Sequence, residues 1–227
     1  MRTGIRKDEA DAIVANNGWL LTQPADFREE VLRHSVLMHF EAGQTVFRIG
    51  DAPGGIYGLV RGNATVNTAP PNLPPKLLQG SLPGYWTGEA SFLTRQPRRV
   101  ELQVRMPTWL LHLPLSQMNR MAYDDPRVIR NFSHILVATL DIATRIISDL
   151  QQLNPARRLA ATLDRAAASG SDVVMLTQAE LGEMACASRR QVNRVLGEFE
   201  ERGWVRLGYG GFTILDLEAL RRFAYSE

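Results

Sequence analysis

The residues of this chain with the clearest chemical potential lie at 188–196, near its C-terminal end. Ser188 can cap a helix with its hydroxyl, and Gln191, three residues later, can bond back to the Ser188 amide. Four apolar residues follow at the spacing of one helical face: Val192, Val195, Leu196 and Phe199. The side chains left to project outward are Arg189, Arg190, Asn193 and Arg194. The stretch therefore predicts a helix that packs on one side and offers donors on the other.

Positive charge is concentrated around this stretch. The whole chain carries a formal charge of only +2, with a sequence pI near 8.9, so composition alone does not identify a nucleic-acid partner. Residues 155–227 hold ten arginines and ten acids, yet residues 184–197 hold three arginines and no acid. Guanidinium donors at a helix start suit phosphate oxygens and base edges in the major groove. We therefore predict double-stranded DNA as the partner of this helix.

The elements on either side of the stretch are those that would position it. Thr177 and Glu180 form a second capping pattern, so a short helix should precede the turn around Cys186, which we expect to be buried. Residues 204–207 and 212–215 flank a glycine-rich turn and predict a β-hairpin, or wing. The pattern is that of a winged helix-turn-helix. Its candidate DNA contacts are Thr177, Gln178, Ser188, Arg189, Arg190, Gln191, Asn193 and Arg194.

A long helix is predicted upstream, from Asp125-Pro126 to about residue 153. It carries two apolar stripes, which indicates two packing partners, one being the chain's own strands and the other a second subunit. A helix wholly buried in one core is the alternative, and spacing alone leaves open which stripe faces the second subunit. We take one of the two stripes as the dimerisation surface, namely the one formed by Phe132, Ile135, Thr139, Ile142 and Ile146. Asn154-Pro155 then restarts a helix, which predicts a hinge at residues 153–155.

The N-terminal half reads as short helices followed by strands. Residues 8–36 have helical patterns, and from Phe40 onward glycines separate short β-prone pieces at 45–49, 56–60, 100–105 and 108–113. Four prolines within residues 66–76 predict a long hairpin loop there. The fold class is therefore α+β. The predicted domains are a helical and β jelly-roll domain at 1–124, a dimerisation helix at 125–153, and a winged helix-turn-helix at 154–227.

Several classes of function are not supported by the composition. A single cysteine, Cys186, allows no intrachain disulfide, and the absence of a leader pattern or a long apolar run favours a cytoplasmic protein without membrane contact. The four histidines lack metal-ligand spacing: His34, His39, His112 and His134. No nucleophile elbow or phosphate-binding loop pattern is present. We therefore expect neither an enzyme nor a metalloprotein.

Taken together, these motifs resemble the CRP/FNR transcription regulators over nearly the whole chain. The glycine pattern of residues 40–62 is similar to their cyclic-nucleotide-binding jelly roll, and Gly88-Glu89 with Arg99 is similar to their phosphate-binding cassette. The resemblance implies a homodimer on a near-palindromic DNA site, RNA polymerase as a further partner, and no catalysis. It also implies a ligand pocket formed by Gly88, Glu89, Arg99, Val100 and Thr144.

The departures from the family pattern bear on the ligand. Family members that bind cyclic AMP have a Ser/Thr-Ala pair after the cassette arginine, whereas Val100-Glu101 follows here, and a glutamate near a phosphate opposes it. These family members also have two hydroxyl residues on the long helix, which correspond to Ala143 and Thr144 here. Only the second position, Thr144, keeps a hydroxyl group. Cyclic AMP is therefore not expected to act in the usual way. One cysteine cannot hold an iron-sulfur cluster, and no haem site is expected.

The recognition helix also departs from the family pattern. A family glutamate that accepts from cytosine is replaced by Arg190, so we expect a different operator sequence. A second functional reading remains open at this point. The chain could be a small-nucleotide receptor that acts mainly through protein contacts, with its winged helix as an interaction module.

Overall fold

The structure is a computed structural model that describes residues 4–68, 76–81, 83–167, 172–208 and 210–225. The chain forms two compact units. The first contains Met1–Pro75 and Ser81–Asp141, and the second contains Lys76–Gly80 and Ile142–Glu227. The division falls within the longest helix, between Asp141 and Ile142.

The elements follow one another in a mixed order of helices and strands. The helices are α1 (Lys7–Ala15), α2 (Gly18–Leu21), α3 (Ala25–His34), α4 (Glu89–Thr94), α5 (Leu115–Asp124), α6 (Val128–Leu150), α7 (Pro155–Ala167), α8 (Gln178–Met184), α9 (Arg189–Glu201) and α10 (Leu217–Tyr225). The strands are β1 (Val36–Phe40), β2 (Thr45–Phe47), β3 (Ile56–Arg61), β4 (Ala64–Thr68), β5 (Lys76–Ser81), β6 (Trp86–Thr87), β7 (Glu101–Val104), β8 (Thr108–Leu113), β9 (Val173–Val174), β10 (Val205–Gly208) and β11 (Gly211–Ile214).

The first unit is built around two antiparallel sheets that share an apolar interior. One sheet has the order β1-β8-β3-β6, and the other contains β2, β7 and β4 as consecutive neighbours. Leu59 and Leu110 of the first sheet pack with Leu102 and Val66 of the second, because alternate side chains of each strand face inward. This is the predicted jelly roll. Strand β4 includes residues 66–68, which the prolines had led us to place in a loop, and residues 69–75 lie outside the described residues.

The outer face of the first sheet is covered by helices. Ile56, Val60 and Leu111 pack against α1, α2, α3 and the start of α6. Their core includes five aromatic rings whose contacting pairs lie 5.1–6.1 Å apart between centroids: Trp19, Phe27, Trp86, Phe92 and Phe132. The indole Nε1 of Trp19 donates to the carbonyl oxygen of Asn131 at 2.9 Å. These contacts attach the first turns of α6 to the jelly roll.

The predicted dimerisation stripe of α6 needs correction. Phe132 and Ile135 are at most 1% exposed within the first unit's own core, and Ile146 is also buried, while Thr139 and Ile142 are half-buried. Intrachain packing covers the N-terminal part of this stripe, because Phe132 lies in the aromatic cluster and Ile135 packs in the same core. The neighbouring stripe remains exposed: Ile129, Leu136, Leu140, Ile147 and Leu150.

The second unit packs α7, α9 and α10 with the C-terminal half of α6 and a small antiparallel sheet of order β10-β11-β9. The two helices of the helix-turn-helix and the wing strands lie within two residues of the predicted positions. Several short elements of the two units were not predicted, among them β1, β5, β6, α4, α5, β9 and α10. Strand β9 has only two residues, which are too few for a periodic signal. The residues of α5, between β8 and the long helix, were not assigned to any element.

Buried carboxylates join the helices of the second unit. Asp149 of α6 and Asp164 of α7 are at most 2% exposed. Asp149 binds Arg165 and accepts from the Tyr225 hydroxyl at 3.2 Å, whereas Asp164 binds Arg145 and Arg221. Because every carboxylate is paired, α6, α7 and α10 are joined by charge without leaving a buried anion unmatched.

Replacing Asp149 with alanine should destabilise this unit strongly. The Arg165 side chain is only 10% exposed, so Asp149→Ala leaves a buried guanidinium without its carboxylate. We expect a loss of about 3–5 kcal/mol of unfolding free energy, measured by urea unfolding followed by circular dichroism. The control Asp124→Ala removes an exposed carboxylate 3.8 Å from Arg120 and should change stability by less than about 0.5 kcal/mol. Equal effects of the two changes would contradict this role of Asp149.

Candidate nucleic-acid interface and ligand pocket

Both helices of the helix-turn-helix begin with the capping boxes that the sequence predicted. The Ser188 amide donates to Gln191 Oε1 at 2.8 Å and the Gln191 amide donates to Ser188 Oγ at 3.3 Å. Thr177 and Glu180 make the same reciprocal pair at the start of α8. The predicted contact residues Thr177, Ser188 and Gln191 thus use side-chain atoms to start helices. Their part at the interface includes fixing where α8 and α9 begin.

The two helices approach each other closely at a glycine. A Cβ atom on Gly182 would lie 3.0 Å from the Ala187 carbonyl oxygen and 3.1 Å from Val192 Cγ2. Both distances are tighter than ordinary van der Waals contact, so a larger residue would push α9 away. The angle between α8 and α9 depends on this missing side chain.

The two faces of α9 divide as predicted from the sequence. The four apolar residues are at most 1% exposed in the core of the second unit: Val192, Val195, Leu196 and Phe199. Arg189, Arg190, Asn193 and Arg194 are exposed. Arg194 Nη1 donates to Glu198 Oε1 at 2.9 Å, whereas the side chains of Arg189 and Arg190 make no hydrogen bond or ion pair within the described part of the chain. Gln178, the remaining predicted contact, is also exposed.

One arginine that the sequence analysis did not single out holds the turn in place. Arg158 of α7 donates to the carbonyl oxygens of Ala185 and Cys186 at 2.9 and 3.1 Å, and to those of Gln152 and Leu153 at 2.7 and 3.3 Å. It therefore joins the α6–α7 connection to the helix-turn-helix turn. Nothing in its spacing distinguishes it from other helical arginines. Cys186, which we expected to be buried, is exposed. Its φ is 47°, so the turn holds this residue in the left-handed region.

The wing is positioned by the end of α9. Gly203 has φ 72° and ends the helix, and the Leu207 amide donates to Glu200 Oε1 at 3.0 Å. The Trp204 ring lies 5.3 Å from Phe199 between centroids. These contacts join strand β10 to α9, so the wing and the recognition helix form one packed element. Tyr209 lies outside the described residues.

Four of the five residues predicted to hold a ligand lie in the first unit, but Arg99 is not the buried arginine there, and Thr144 lies in the second unit. Gly88 has φ 108° and precedes Glu89, which is 4% exposed at the start of α4. The guanidinium nearby belongs to Arg98, which is 5% exposed, and not to Arg99, which is exposed. Arg98 takes the place predicted for Arg99, because its guanidinium is held by the carbonyl oxygens of Gly55 and Gly88. Val100 packs against the sandwich interior.

Arg98 is bonded within the protein. Its guanidinium donates to the carbonyl oxygens of Gly55 at 2.7 Å and Gly88 at 3.0 Å and lies 4.2 Å above the Phe47 ring. A Cβ atom on Gly54 or Gly88 would lie within 2.6 Å of this guanidinium. Gly54 and Gly88 therefore make room for the protein's own arginine.

Burial shifts the ionisation of the groups around Arg98. Burial raises the pKa of Glu89, while hydrogen bonds from its own amide and that of Gly88, and the Arg98 charge, act in the opposite direction. His112 stacks on Tyr57 at 4.4 Å, and its pKa is lowered by burial and then by Arg98. This part of the jelly roll carries a buried positive charge that disfavours a second one. Thr144, the remaining predicted pocket residue, is exposed on α6 in the second unit.

None of the helices in the described part of the chain combines the length and the hydropathy that a membrane span needs. Within the same residues, histidine, cysteine and acidic side chains form no group of three or more that could hold a metal ion.

Comparison with known proteins places both units in one family. Residues 37–125 match the cyclic nucleotide-binding domain and residues 157–223 match the Crp-like helix-turn-helix domain. The chain is 26% identical over 198 residues to the CRP-like cAMP-activated global transcriptional regulator of Mycobacterium tuberculosis, covering 82% of this chain and 86% of that protein.

Solved structures agree with these matches. The CRP/FNR family transcriptional regulator TTHA1359 of Thermus thermophilus is 25% identical, with a TM-score of 0.65 over 83% of this chain and 98% of that chain. The c-di-GMP responsive global regulator CLP of Xanthomonas campestris, 21% identical, has a TM-score of 0.67 over 84% of this chain and 99% of that one, a likeness of fold. With a cyclic nucleotide-binding domain followed by a DNA-binding helix-turn-helix, the chain belongs to the CRP/FNR family of transcription regulators.

Proposed function

We propose that this regulator acts as a homodimer that binds a near-palindromic DNA site through α9, without catalysing a reaction. The observation that carries the proposal is the exposed cationic face of α9, fixed on a buried apolar face and started by a capping box. Arg189, Arg190, Asn193 and Arg194 supply donors to base edges and phosphates. The exposed Gln178 and the cap residues Thr177 and Ser188 lie at the two helix starts, where phosphate contacts are favoured.

The second copy is expected on the exposed stripe of α6. Leu140 and Ile147 are 59% and 57% exposed, and Leu136 is 46% exposed. They recur along one helix face at spacings of four and seven residues, which suits packing against a matching helix. Two-fold pairing would present two copies of α9, so the half-sites should lie about one helical turn of DNA apart.

Substituting an arginine at Leu140 should prevent this pairing. A charged residue at the centre of an apolar interface would be buried without a partner, so Leu140→Arg should be monomeric where the wild-type chain is dimeric. Sedimentation velocity measures the difference at micromolar concentration. The control Ser148→Arg changes an exposed residue of the same helix off the stripe and should leave the dimer intact. A dimeric Leu140→Arg variant would overturn this interface.

DNA contact by Arg194 is tested by its alanine variant. Arg194→Ala should lose about 1–3 kcal/mol of operator binding while remaining dimeric, in gel-shift titrations at fixed salt. Arg120→Ala, which removes an exposed helical arginine of the first unit, is the control. Wild-type affinity should also fall steeply as salt rises, because arginines displace counterions from phosphate. If saturable DNA binding is missing, the alternative of a receptor acting through protein contacts is favoured instead.

We also propose that cyclic AMP does not control this protein in the usual way. Arg98 already donates to two carbonyl groups, and the family's hydroxyl residue after the cassette arginine is absent. A pocket ligand, or none, would bias the position of the recognition helices. The hinge predicted at residues 153–155 remains part of this proposal, and Arg158 donates beside it to the carbonyl oxygens of residues 152 and 153. RNA polymerase is the expected further partner, as the family implies.

Thermal-shift measurements test the ligand proposal. Cyclic AMP and cyclic GMP should leave the unfolding midpoint of the wild-type protein unchanged. A ligand present at 100 times its dissociation constant would stabilise the protein by about 2.7 kcal/mol. A saturable, concentration-dependent rise in the midpoint with cyclic AMP would contradict the proposal.

A further inference from the structure

Arg158 of α7 lies beside the ends of two other helices of the second unit. Its guanidinium donates to the carbonyl oxygens of Gln152 and Leu153, which follow the C-terminal end of α6, at 2.7 and 3.3 Å. It also donates to those of Ala185 and Cys186, which follow the C-terminal end of α8, at 2.9 and 3.1 Å. One side chain therefore joins the α6–α7 connection to the turn that precedes α9.

The position of Arg158 is unfavourable for its own helix. Helix α7 begins at Pro155, so the arginine lies near its N-terminal end, where the helix dipole disfavours a cation. The carbonyl groups that it binds lie just beyond the C-terminal ends of α6 and α8, where a cation is favoured. The half-buried guanidinium uses all three of its nitrogen atoms in these bonds. Its role is thus to hold neighbouring segments together and not to stabilise α7.

The bonds of Arg158 cross the hinge predicted at residues 153–155. Leu153 is 95% exposed and Asn154 is exposed, so burial of side chains does little to hold this connection in place. Bending at the hinge would separate Arg158 from the carbonyl oxygens of Gln152 and Leu153, or from those of the helix-turn-helix turn. The arginine therefore resists movement of α9 relative to the end of α6.

The end of α6 is also the end of the proposed contact with the second copy. Leu150 is the last residue of the exposed stripe and lies two positions before Gln152. Cys186 lies two positions before Ser188, which caps α9. The path from the two-fold contact to the recognition helix therefore passes through Arg158. In a dimer, such a bridge would fix the distance and the angle between the two copies of α9.

We propose that Arg158 makes this regulator selective for the spacing of its two half-sites. This inference rests on the proposed function, that is, on a homodimer that binds DNA through α9. The second copy of α9 binds at an effective concentration that is highest when the span of the protein matches that of the site. One added base pair moves a half-site by about 3.4 Å and turns it by about 35° around the DNA axis. A dimer held by Arg158 does not follow this shift, whereas a dimer without it adjusts.

Two substitutions of Arg158 separate its geometry from its charge. Arg158→Ala removes all four hydrogen bonds, whereas Arg158→Lys keeps the positive charge but donates from a single nitrogen atom. An ammonium group does not span the carbonyl oxygens on both sides of the hinge as the planar guanidinium does. Both variants should therefore lose selectivity for spacing. The control is Arg222→Ala, which removes an arginine that is 68% exposed on α10 of the same unit.

The experiment starts from DNA selected in vitro by the full-length wild-type protein. Affinities are measured for the selected site, for duplexes with one base pair added to or removed from its centre, and for a single half-site. The wild type should bind the selected site at least about tenfold more tightly than the duplexes of altered spacing, and both Arg158 variants should reduce this ratio to about threefold or less. Affinity for the single half-site should stay within about threefold of the wild type, because the residues of α9 are unchanged.

The ratio of affinities distinguishes positioning from an effect on folding. A smaller folded fraction lowers the affinity for every duplex by the same factor and leaves the ratio unchanged. Retention of the wild-type ratio by either Arg158 variant, or equal binding of the wild type to all spacings, would overturn the inference while leaving DNA binding intact. The Arg222→Ala variant should keep the wild-type ratio. If the wild type binds one half-site as tightly as two, or shows no saturable binding, the proposed function itself fails.

Discussion

The pairing of buried carboxylates with arginines in the second unit is the interaction on which the DNA-binding part depends. Asp149 and Asp164 are removed from water, and each is matched by guanidinium groups from another helix. Burying a carboxylate without such a match would cost several kcal/mol, so the helices can pack only in the arrangement that brings these groups together. The C-terminal half of α6 is thereby part of the same body as α7 and α10.

The packing of α6, α7 and α10 also determines the position of the recognition helix α9. Arg158 extends from α7 to the carbonyl groups of the turn before α9, and Gly182 lets α8 approach Val192. The side chains that could contact DNA are then carried on a helix whose depth and direction are set by Arg158 and Gly182, which are not among the proposed DNA contacts. A fixed helix restricts the positions that these arginines can occupy before binding, which reduces the conformational entropy lost on association.

Local signals in the sequence predicted the second unit well and the relation between distant groups poorly. Capping boxes depend on residues three apart, so the starts of α8 and α9 were readable from Thr177 and Ser188. Which of Arg98 and Arg99 is buried depends on a contact with Gly55, which is far away in the chain. Which stripe of α6 is covered depends in the same way on distant residues such as Trp19. Periodicity gives the faces of an element, but only tertiary packing decides which face is covered.

The exposed stripe of α6 has a consequence for the amount of protein in a cell. An apolar face around Leu140 and Ile147 is unfavourable in water, and covering it by the proposed second copy would be governed by mass action. Occupancy of a two-fold DNA site would then rise more steeply than the total protein concentration at low abundance. The rate at which the chain is synthesised and degraded would become an input to regulation, separate from any small molecule in the jelly roll.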